Sequence, residues 1–419
     1  MTIRRLLTAT ALVSALMTGA SVAQTPLSMW YHGAGDDAAS AMMNRIIGDF
    51  NASQSDWQVT LESFPQGAYN DAVGAAALAG RLPDILDVDG PIMPNWAWAG
   101  YLAPLDIDES KLAGYLPSAA GRWNDQLYSV GLWDAAVAIA ARRSVLEANN
   151  IRIPTVEEPW RGEEFDAALV TIKESGEFEY PISLGMANKG EWYSYAFSPF
   201  LASFGGDLVD RETYATADGV INGDAAIEFG EWFQSLFERE LAQGTSQDPA
   251  DWQTGFDRGL FAMNLTGNWR ALPSIAAFGD DVIFLPAPDF GNGAKIGAAS
   301  WQFAVSATSE HQEGANAFVE FMLQDEYRVG FSDSIGFIPA TPEAAAESKN
   351  YAPGGPLVAF YELNRAHALL RPVTPGYIVQ SRIFQKVIAD LADGADVAAT
   401  LDAAADEIEA DIAANNGYQ

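Results

Sequence analysis

The chain has 419 residues and a formal net charge of −33, from 56 acidic and 23 basic side chains, and it contains no cysteine. This charge disfavours nucleic acids and anionic membrane surfaces as partners, and the lack of cysteine excludes disulfides and cysteine-ligated metals. A hydrophobic content of 49% indicates a globular protein rather than an acidic disordered one. A chain of this length is expected to form two domains.

Residues 1–23 have the organisation of a secretory signal peptide. Arg4 and Arg5 precede an uncharged run over residues 6–17, and small residues end the segment, with cleavage expected after Ala23. The uncharged run is shorter than the roughly 20 residues that span a bilayer. Because no cysteine is present, a lipid cannot be attached at one after cleavage. We therefore expect export to the periplasm.

The first part of the chain alternates strands and helices. Apolar alternation and short apolar runs predict strands over residues 27–31, 57–61 and 84–88, and helical spacing predicts helices over residues 36–50 and 69–80. Repeated strand–helix units of this kind indicate a parallel sheet with right-handed crossovers.

The third strand is followed by an acidic and aromatic segment. Asp89, Trp96 and Trp98 lie among prolines and glycines in what reads as irregular chain. The carboxyl end of a strand is where α/β proteins place ligand contacts. For each tryptophan taken alone, packing against the body of the fold stays open as an alternative.

Strand-like segments recur after each long helical block in the rest of the chain. This recurrence predicts an α/β fold in which the chain crosses between two lobes several times. The expected strands lie within residues 128–141, 182–184, 260–266, 282–285 and 301–305, the expected helices at 165–172, 224–241, 313–323 and in two tail segments around Gly394, and an aromatic loop at 191–195.

The sequence lacks the motifs of most catalytic and cofactor-binding sites. The three histidines show no metal-ligand spacing, and no nucleophile elbow, P-loop or dinucleotide fingerprint is present. The acidic runs at residues 87–89 and 106–108 lack the remaining ligands of a calcium loop. We therefore expect no metal ion and no cofactor.

A unit of strand end, turn residue, aromatic ring and polar neighbour recurs along the chain. Sugars present C–H faces that stack on aromatic rings, and hydroxyl edges that hydrogen-bond to carboxylate, amide and guanidinium groups. The sequence therefore predicts a carbohydrate site in a cleft between two lobes. The unit occurs at residues 30–33, 64–66, 89–96, 133–134, 191–193, 268–270, 300–302 and 371–377.

Several short motifs stand in a characteristic order. They are residues 83–85 after an alanine-rich helix, residues 263–269, a strand-then-helix run over 301–323, residues 336–340 and the paired tail helices. In this order and spacing the chain resembles the family 1 extracellular solute-binding proteins, which include maltose-binding and multiple-sugar-binding components of ABC importers. The resemblance covers essentially all of the chain after residue 23. It implies a type II periplasmic-binding fold with two lobes, a hinge and an interlobe cleft that closes on a sugar.

The resemblance also implies roles for individual residues. By motif position, the first lobe supplies hydrogen bonds and the second lobe supplies aromatic rings, with Trp269 at the place of the family's stacking tryptophan. Trp133 stands where some relatives carry an acid. The expected ligand contacts are His32, Gln66, Asp89, Trp133, Trp192, Trp269, Trp301, Arg371 and Tyr377, with no catalytic residue and no metal ligand.

The resemblance further implies how the chain is divided. Residues 24–134 and 286–338 are expected to form the N-terminal lobe, and residues 135–285 and 339–419 the C-terminal lobe. The predicted function is that of a monomeric, non-enzymatic periplasmic component of an ABC importer. It would capture a di- or oligosaccharide or a glycoside by lobe closure and deliver it to the membrane permease.

Three alternatives stay open. Arg371 or Arg270 could pair with the acid group of an anionic, carboxylated or sulfonated, sugar. A secreted glycoside hydrolase needs only two carboxylates that face each other, and Asp89 with Asp134 is one such pair. The third alternative is a non-catalytic surface lectin, although nothing in the sequence anchors the chain.

Overall fold

The chain folds into two lobes, each built on its own β-sheet. The computed structural model describes residues 24–34, 36–299 and 301–418. The predicted signal peptide, residues 1–23, therefore lies outside the described residues, as does Ser300 of one aromatic–polar unit.

The strands are short and run from the start of the described chain to residue 369. In chain order they are β1 (Thr25–Tyr31), β2 (Trp57–Ser63), β3 (Ile85–Asp89), β4 (Leu102–Ala103), β5 (Ala120–Trp123), β6 (Gln126–Val130), β7 (Trp133–Asp134), β8 (Val137–Arg142), β9 (Ile182–Ser183), β10 (Met263–Gly267), β11 (Val282–Leu285), β12 (Ile296–Gly297), β13 (Trp301–Ser306), β14 (Ile338–Pro339) and β15 (Ala368–Leu369).

The helices cover both sheets. In chain order they are α1 (Asp37–Ser53), α2 (Gln66–Leu78), α3 (Met93–Trp98), α4 (Arg143–Ala148), α5 (Gly162–Glu174), α6 (Glu191–Phe204), α7 (Asp224–Glu238), α8 (Pro249–Thr254), α9 (Ala271–Phe278), α10 (Gln312–Met322), α11 (Asp325–Ile335), α12 (Pro342–Glu347), α13 (Val358–His367), α14 (Tyr377–Ala392) and α15 (Val397–Ala414).

The sheet of the first lobe has the order β2-β1-β3-β13-β6-β5, with β4 beside β13. β1 pairs in parallel with β2 and with β3, as the strand–helix alternation predicts. β13 enters from much later in the chain and pairs antiparallel with β3, so that Trp301 lies opposite Asp89. His32 follows the end of β1, and Asp89 ends β3. The carboxyl ends of neighbouring parallel strands therefore bring these side chains to one edge of the sheet.

The sheet of the second lobe has the order β11-β8-β10-β9, with β8 antiparallel to both β10 and β11. The two tail helices α14 and α15 pack against each other and against α7, and their apolar stripes join the core of this lobe. These strands lie between residues 137 and 285, whereas those of the first sheet lie at residues 25–130 and 301–306. The lobe boundaries at residues 134, 285 and 338 stay a prediction.

The crossing segments meet at a buried carboxylate. β7 pairs with β14, and Ala136 forms an isolated bridge with Ala298. The fully buried Asp134 carboxylate accepts hydrogen bonds from the Ser118 hydroxyl, the Asn364 amide and the backbone N–H groups of residues 135 and 299. Burial raises the pKa of Asp134, and these four donors act in the opposite direction. Through these hydrogen bonds, the Asp134 carboxylate connects residues of both lobes to the crossing strands.

Two segments differ from the sequence prediction because their aromatic residues are buried inside helices. Residues 191–195, expected as a loop, form the first turn of α6, which is buried on nearly every face. A helix without a polar face lacks the amphipathic period that reveals helices in a sequence. Residues 93–98, expected as irregular chain, form the short helix α3, where Trp96 packs in the core and Trp98 packs against Tyr418.

Trp133 gives a test of this core. Its ring is 1% exposed and packs against Phe303, Phe331 and Phe337. We expect Trp133→Ala to lower the free energy of unfolding by about 3–5 kcal/mol, because it leaves a large cavity. Urea denaturation measures this loss.

The matched control is Leu78→Ala on the exposed end of α2, where Leu78 is 88% exposed. This variant is expected to stay within about 0.5 kcal/mol of the wild type. Equal midpoints for wild type and Trp133→Ala would contradict the core placement.

Candidate ligand-binding site

A cavity of about 360 Å³ is lined by residues of both lobes. Most of its wall is aromatic or acidic, with one arginine. The lining residues are Tyr31, His32, Gly33, Ala34, Asp36, Ala39, Gln66, Asp89, Ala135, Asn188, Glu191, Trp192, Tyr195, Trp252, Trp269, Ala299, Trp301, Phe337 and Arg371.

Each wall is built from the ends of secondary-structure elements. On the first lobe, β1 and β3 end at the cavity and β13 begins there with Trp301. On the second lobe, the first turn of α6 supplies Glu191, Trp192 and Tyr195, and the turn after β10 supplies Trp269. The wall residues are thus placed by regular elements, which position side chains more precisely than loops do.

Aromatic rings form a surface on each side of the cavity. On the second lobe, Trp269 meets Trp192 edge-on at 6.2 Å and lies near Tyr195 at 6.1 Å with an interplanar angle of 27°. On the first lobe, Trp301 stacks on the His32 ring at 3.7 Å and 8°. Two flat surfaces from separate lobes are suited to hold a ligand ring between them.

A glycine makes room for the Trp269 indole. A Cβ atom at Gly267 would lie 2.0 Å from this ring, well inside contact distance. Glycine at the end of β10 therefore allows the ring to lie back over the strand end, which sets its position at the cavity wall.

A buried guanidinium joins acidic groups of the two lobes. Arg371 donates from Nη1 and Nη2 to the two carboxylate oxygens of Asp89, at 3.1 and 3.2 Å, and from Nη1 to Glu191 at 2.6 Å. The guanidinium also lies 4.6 Å from the centre of the Tyr195 ring. Asp89 ends β3 in the first lobe and Glu191 begins α6 in the second. We call Asp89, Arg371 and Glu191 the interlobe triad.

Second-lobe hydroxyls support the Glu191 carboxylate. Tyr377 and Ser381 both donate to it, the latter at 2.6 Å. Burial raises the pKa of Glu191 against the opposing effect of the Arg371 charge, and the Asp89 charge adds to the rise. Burial alone would lower the pKa of Arg371, but Asp89 and its other neighbours raise it well above its ordinary value. The guanidinium therefore stays charged.

Two of the expected ligand contacts do not line the cavity. Trp133 lies in the core of the first lobe, which argues for a packing role. Tyr377 is fully buried and reaches the cavity only through Glu191. The expected contacts that the structure brings together at the cavity are His32, Gln66, Asp89, Trp192, Trp269, Trp301 and Arg371.

Sequence reasoning missed several lining residues. Glu191 stood inside one of the aromatic–polar units but was not selected, and Tyr195 lies one helical turn beyond Trp192 in α6. Both lie in α6, whose burial on nearly every face removes the amphipathic period that would have marked them in the sequence. Trp252, on the short helix α8, carried no such signal.

The interlobe triad predicts how the lobes respond to loss of the arginine. Arg371→Met leaves the buried Asp89 and the partly exposed Glu191 without a counter-charge, and loss of the buried Arg371–Asp89 pair disfavours the closed arrangement by about 3–5 kcal/mol. We expect small-angle X-ray scattering of the unliganded variant to give a larger radius of gyration than the wild type.

The matched control removes an exposed arginine pair within the second lobe. Arg239 donates to both carboxylate oxygens of Asp166, at 2.7 and 2.9 Å. Exposed pairs contribute only about 0–1 kcal/mol, so Arg239→Met should scatter like the wild type. A radius for Arg371→Met equal to both would contradict the closing role of the triad.

Solved structures share this architecture. The GacH receptor of Streptomyces glaucescens, determined unliganded and with acarbose, is 21% identical, with a TM-score of 0.78 over 94% of this chain and 100% of that one. Maltose-bound MalE3 of Thermotoga maritima is 18% identical, with a TM-score of 0.77 over 92% and 99%. A solute-binding protein of Thermotoga lettingae bound to α-D-tagatose is 17% identical, with a TM-score of 0.77 over 92% and 99%. The predicted two-lobed periplasmic-binding fold is therefore confirmed.

Sequence comparisons agree with the fold. An uncharacterised lipoprotein in the oleD 5′ region of Streptomyces antibioticus is 24% identical over 319 residues, which span 73% of this chain and 68% of that protein. Residues 34–329 match the family described as bacterial extracellular solute-binding protein. This match covers more than half of the chain and confirms the resemblance, so the chain belongs to the bacterial extracellular solute-binding protein family.

Proposed function

We propose that this protein captures a saccharide in the interlobe cavity by closure of its lobes. The observation that carries the proposal is the pair of aromatic surfaces, Trp269 with its neighbours on one lobe and Trp301 on the other, which line the same cavity as several carboxylates. Sugar faces stack on such rings, and sugar hydroxyls bond to charged groups more strongly than to neutral ones. Closure buries the ligand from both sides, so contacts of the ligand with both lobes favour the closed state.

The relatives support a sugar as the ligand class. Their bound molecules are acarbose, α-D-tagatose and maltose, which are all saccharides or saccharide-like. At about 360 Å³ the cavity falls within the usual range for small-molecule sites. A di- or oligosaccharide or a glycoside is the ligand that the sequence predicts for it.

We further propose an import role, with a membrane permease of an ABC transporter as the partner of a monomeric, non-enzymatic receptor in the periplasm. The family is extracellular, and the Thermotoga lettingae relative is described as an ABC transporter protein. No helix within the described residues is long and apolar enough to cross a membrane.

An anionic sugar is not favoured. Arg371 is engaged by two carboxylates, so the guanidinium is already neutralised within the triad. Arg270 pairs with Asp257 at 2.6 Å and does not line the cavity. An acid group on the ligand would instead face Asp36, Asp89 and Glu191, which repel it.

A glycoside hydrolase is not favoured either. Of the expected carboxylate pair, Asp89 lines the cavity and is held by Arg371, whereas Asp134 is buried among four hydrogen-bond donors at the crossing strands. A carboxylate in that position cannot reach a bond in the cavity. The family is also one of binding proteins.

Calorimetry with maltose, maltotriose, D-tagatose and acarbose tests the proposal. We expect at least one to bind the protein and Trp269→Ala to weaken that binding by at least about tenfold, or about 1.4 kcal/mol. The loss follows from removal of the stacking surface.

Trp57→Ala serves as the control, because Trp57 begins β2 at the opposite end of the same sheet from the cavity. Its affinity should equal that of the wild type. No binding of any saccharide, or equal affinities for wild type and Trp269→Ala, would refute the proposal.

A further inference from the structure

The His32 ring is fixed on the cavity wall by its neighbours. One face stacks on Trp301 at 3.7 Å and 8°, and the Tyr31 and Tyr69 rings are steeply inclined to it, with ring centres 5.0 and 6.5 Å away. The ring nitrogen Nδ1 is hydrogen-bonded to Asp87 Oδ2. The side chain is only 14% exposed, and it lines the cavity. A ring held in this way presents a single edge to a ligand.

The Asp87 carboxylate is placed to set the proton of this imidazole. Asp87 is fully buried on β3 and does not line the cavity. Its Oδ2 atom also receives the backbone N–H of His32 at 3.3 Å. An oxygen that accepts from this N–H acts as an acceptor, so the proton of the shared hydrogen bond belongs on Nδ1.

The other carboxylate oxygen of Asp87 supports the same conclusion. Oδ1 is buried without a hydrogen-bond partner among the described residues. Such an unpaired buried oxygen costs free energy. The hydrogen bonds that the Asp87 side chain does form among the described residues both involve His32.

We propose that Asp87 is a positioning residue that holds the proton of neutral His32 on Nδ1, so that Nε2 faces the cavity as a hydrogen-bond acceptor. Within the described residues, Nε2 of His32 forms no hydrogen bond. A group that only accepts selects a ligand atom that donates. At this position the cavity therefore recognises a ligand hydroxyl, which can donate a hydrogen bond, rather than a ring or ether oxygen, which cannot.

The ligand part of this inference rests on the proposed function, but the position of the proton does not. Imidazole nitrogen-15 spectra distinguish the Nδ1–H form, the Nε2–H form and the imidazolium. The sequence contains three histidines, so three sets of signals are expected from histidine-labelled protein. The spectrum is recorded without ligand at about pH 8, well above the ordinary pKa of imidazole.

His367 provides an internal reference of the opposite kind. Its Nε2 atom lies 2.7 Å from the backbone oxygen of Val156, which can only accept, so His367 must carry its proton on Nε2. Substitution of His311 and of His367 by glutamine assigns the signals. We expect the remaining set, from His32, to show the Nδ1–H form and to differ in this respect from His367.

Asp87→Asn tests the role of the carboxylate. The neutral amide keeps the shape but holds a proton on Nδ1 more weakly than the carboxylate does, so we expect a substantial fraction of His32 to change to the Nε2–H form. Asp84→Asn is the control, because Asp84 precedes the same strand at its other end and bonds to Ser28 and Ser309. That variant should leave the His32 signals unchanged.

If Asp87→Asn fails to fold, the wild-type spectrum alone still shows which nitrogen of His32 carries the proton. A wild-type His32 that carries a proton on Nε2 at this pH, as the neutral form or as imidazolium, would overturn the proposal. An Asp87→Asn spectrum identical to that of the wild type would overturn the role of Asp87.

The ligand part is tested with each saccharide of the calorimetric panel that binds and with its fluorodeoxy analogues, since fluorine cannot donate. We expect one analogue to bind the wild type at least about tenfold more weakly, and this loss to shrink in Asp87→Asn. Equal affinities for all analogues would contradict the proposal that His32 Nε2 accepts a hydrogen bond from a ligand hydroxyl. Absence of all saccharide binding would refute the proposed function and leave the proton position standing.

Discussion

The arrangement of this protein depends on one buried guanidinium. Arg371, 5% exposed, lies between a carboxylate that ends a strand of the first lobe and one that begins a helix of the second. Charges are costly to remove from water, and a buried pair is favourable only when its geometry is good and its remaining groups are bonded. The triad therefore specifies one mutual position of the lobes more than it adds stability.

The pairing of Arg371 also determines which groups of the cavity wall are available to a ligand. With its cation engaged, the wall keeps carboxylates and aromatic rings as the groups that meet a ligand, and these suit a neutral polyhydroxylated ring. Tyr377 and Ser381 act from behind by fixing Glu191. Asp134 holds the crossing strands in a comparable way, with donors from both lobes on one carboxylate. Asp89 and Asp134 are thus both buried acids with hydrogen-bond donors at the contacts between the lobes.

Much of this could be predicted from the sequence where the signal was local. The apolar alternation of β1 to β3 and the stripes of the tail helices gave the elements, and the aromatic units at strand ends gave most of the cavity wall. Nonlocal features could not be predicted in this way. The insertion of β13 beside β3 decides that Trp301 faces Asp89. Trp133 packs in the core against Phe331 and Phe337, which come from much later in the chain. Helix α6 was not predicted, because a helix buried on nearly every face shows no amphipathic periodicity in its sequence.

The most direct measurement is a crystal structure of the protein with the saccharide that binds it best. We expect density for the sugar between the lobes, with one ring face on Trp269, contacts to the wall that holds His32 and Trp301, and the interlobe triad in place. Density for the sugar outside this cavity, or against one lobe only with the lobes apart, would contradict the central claim that the two walls close on one ligand.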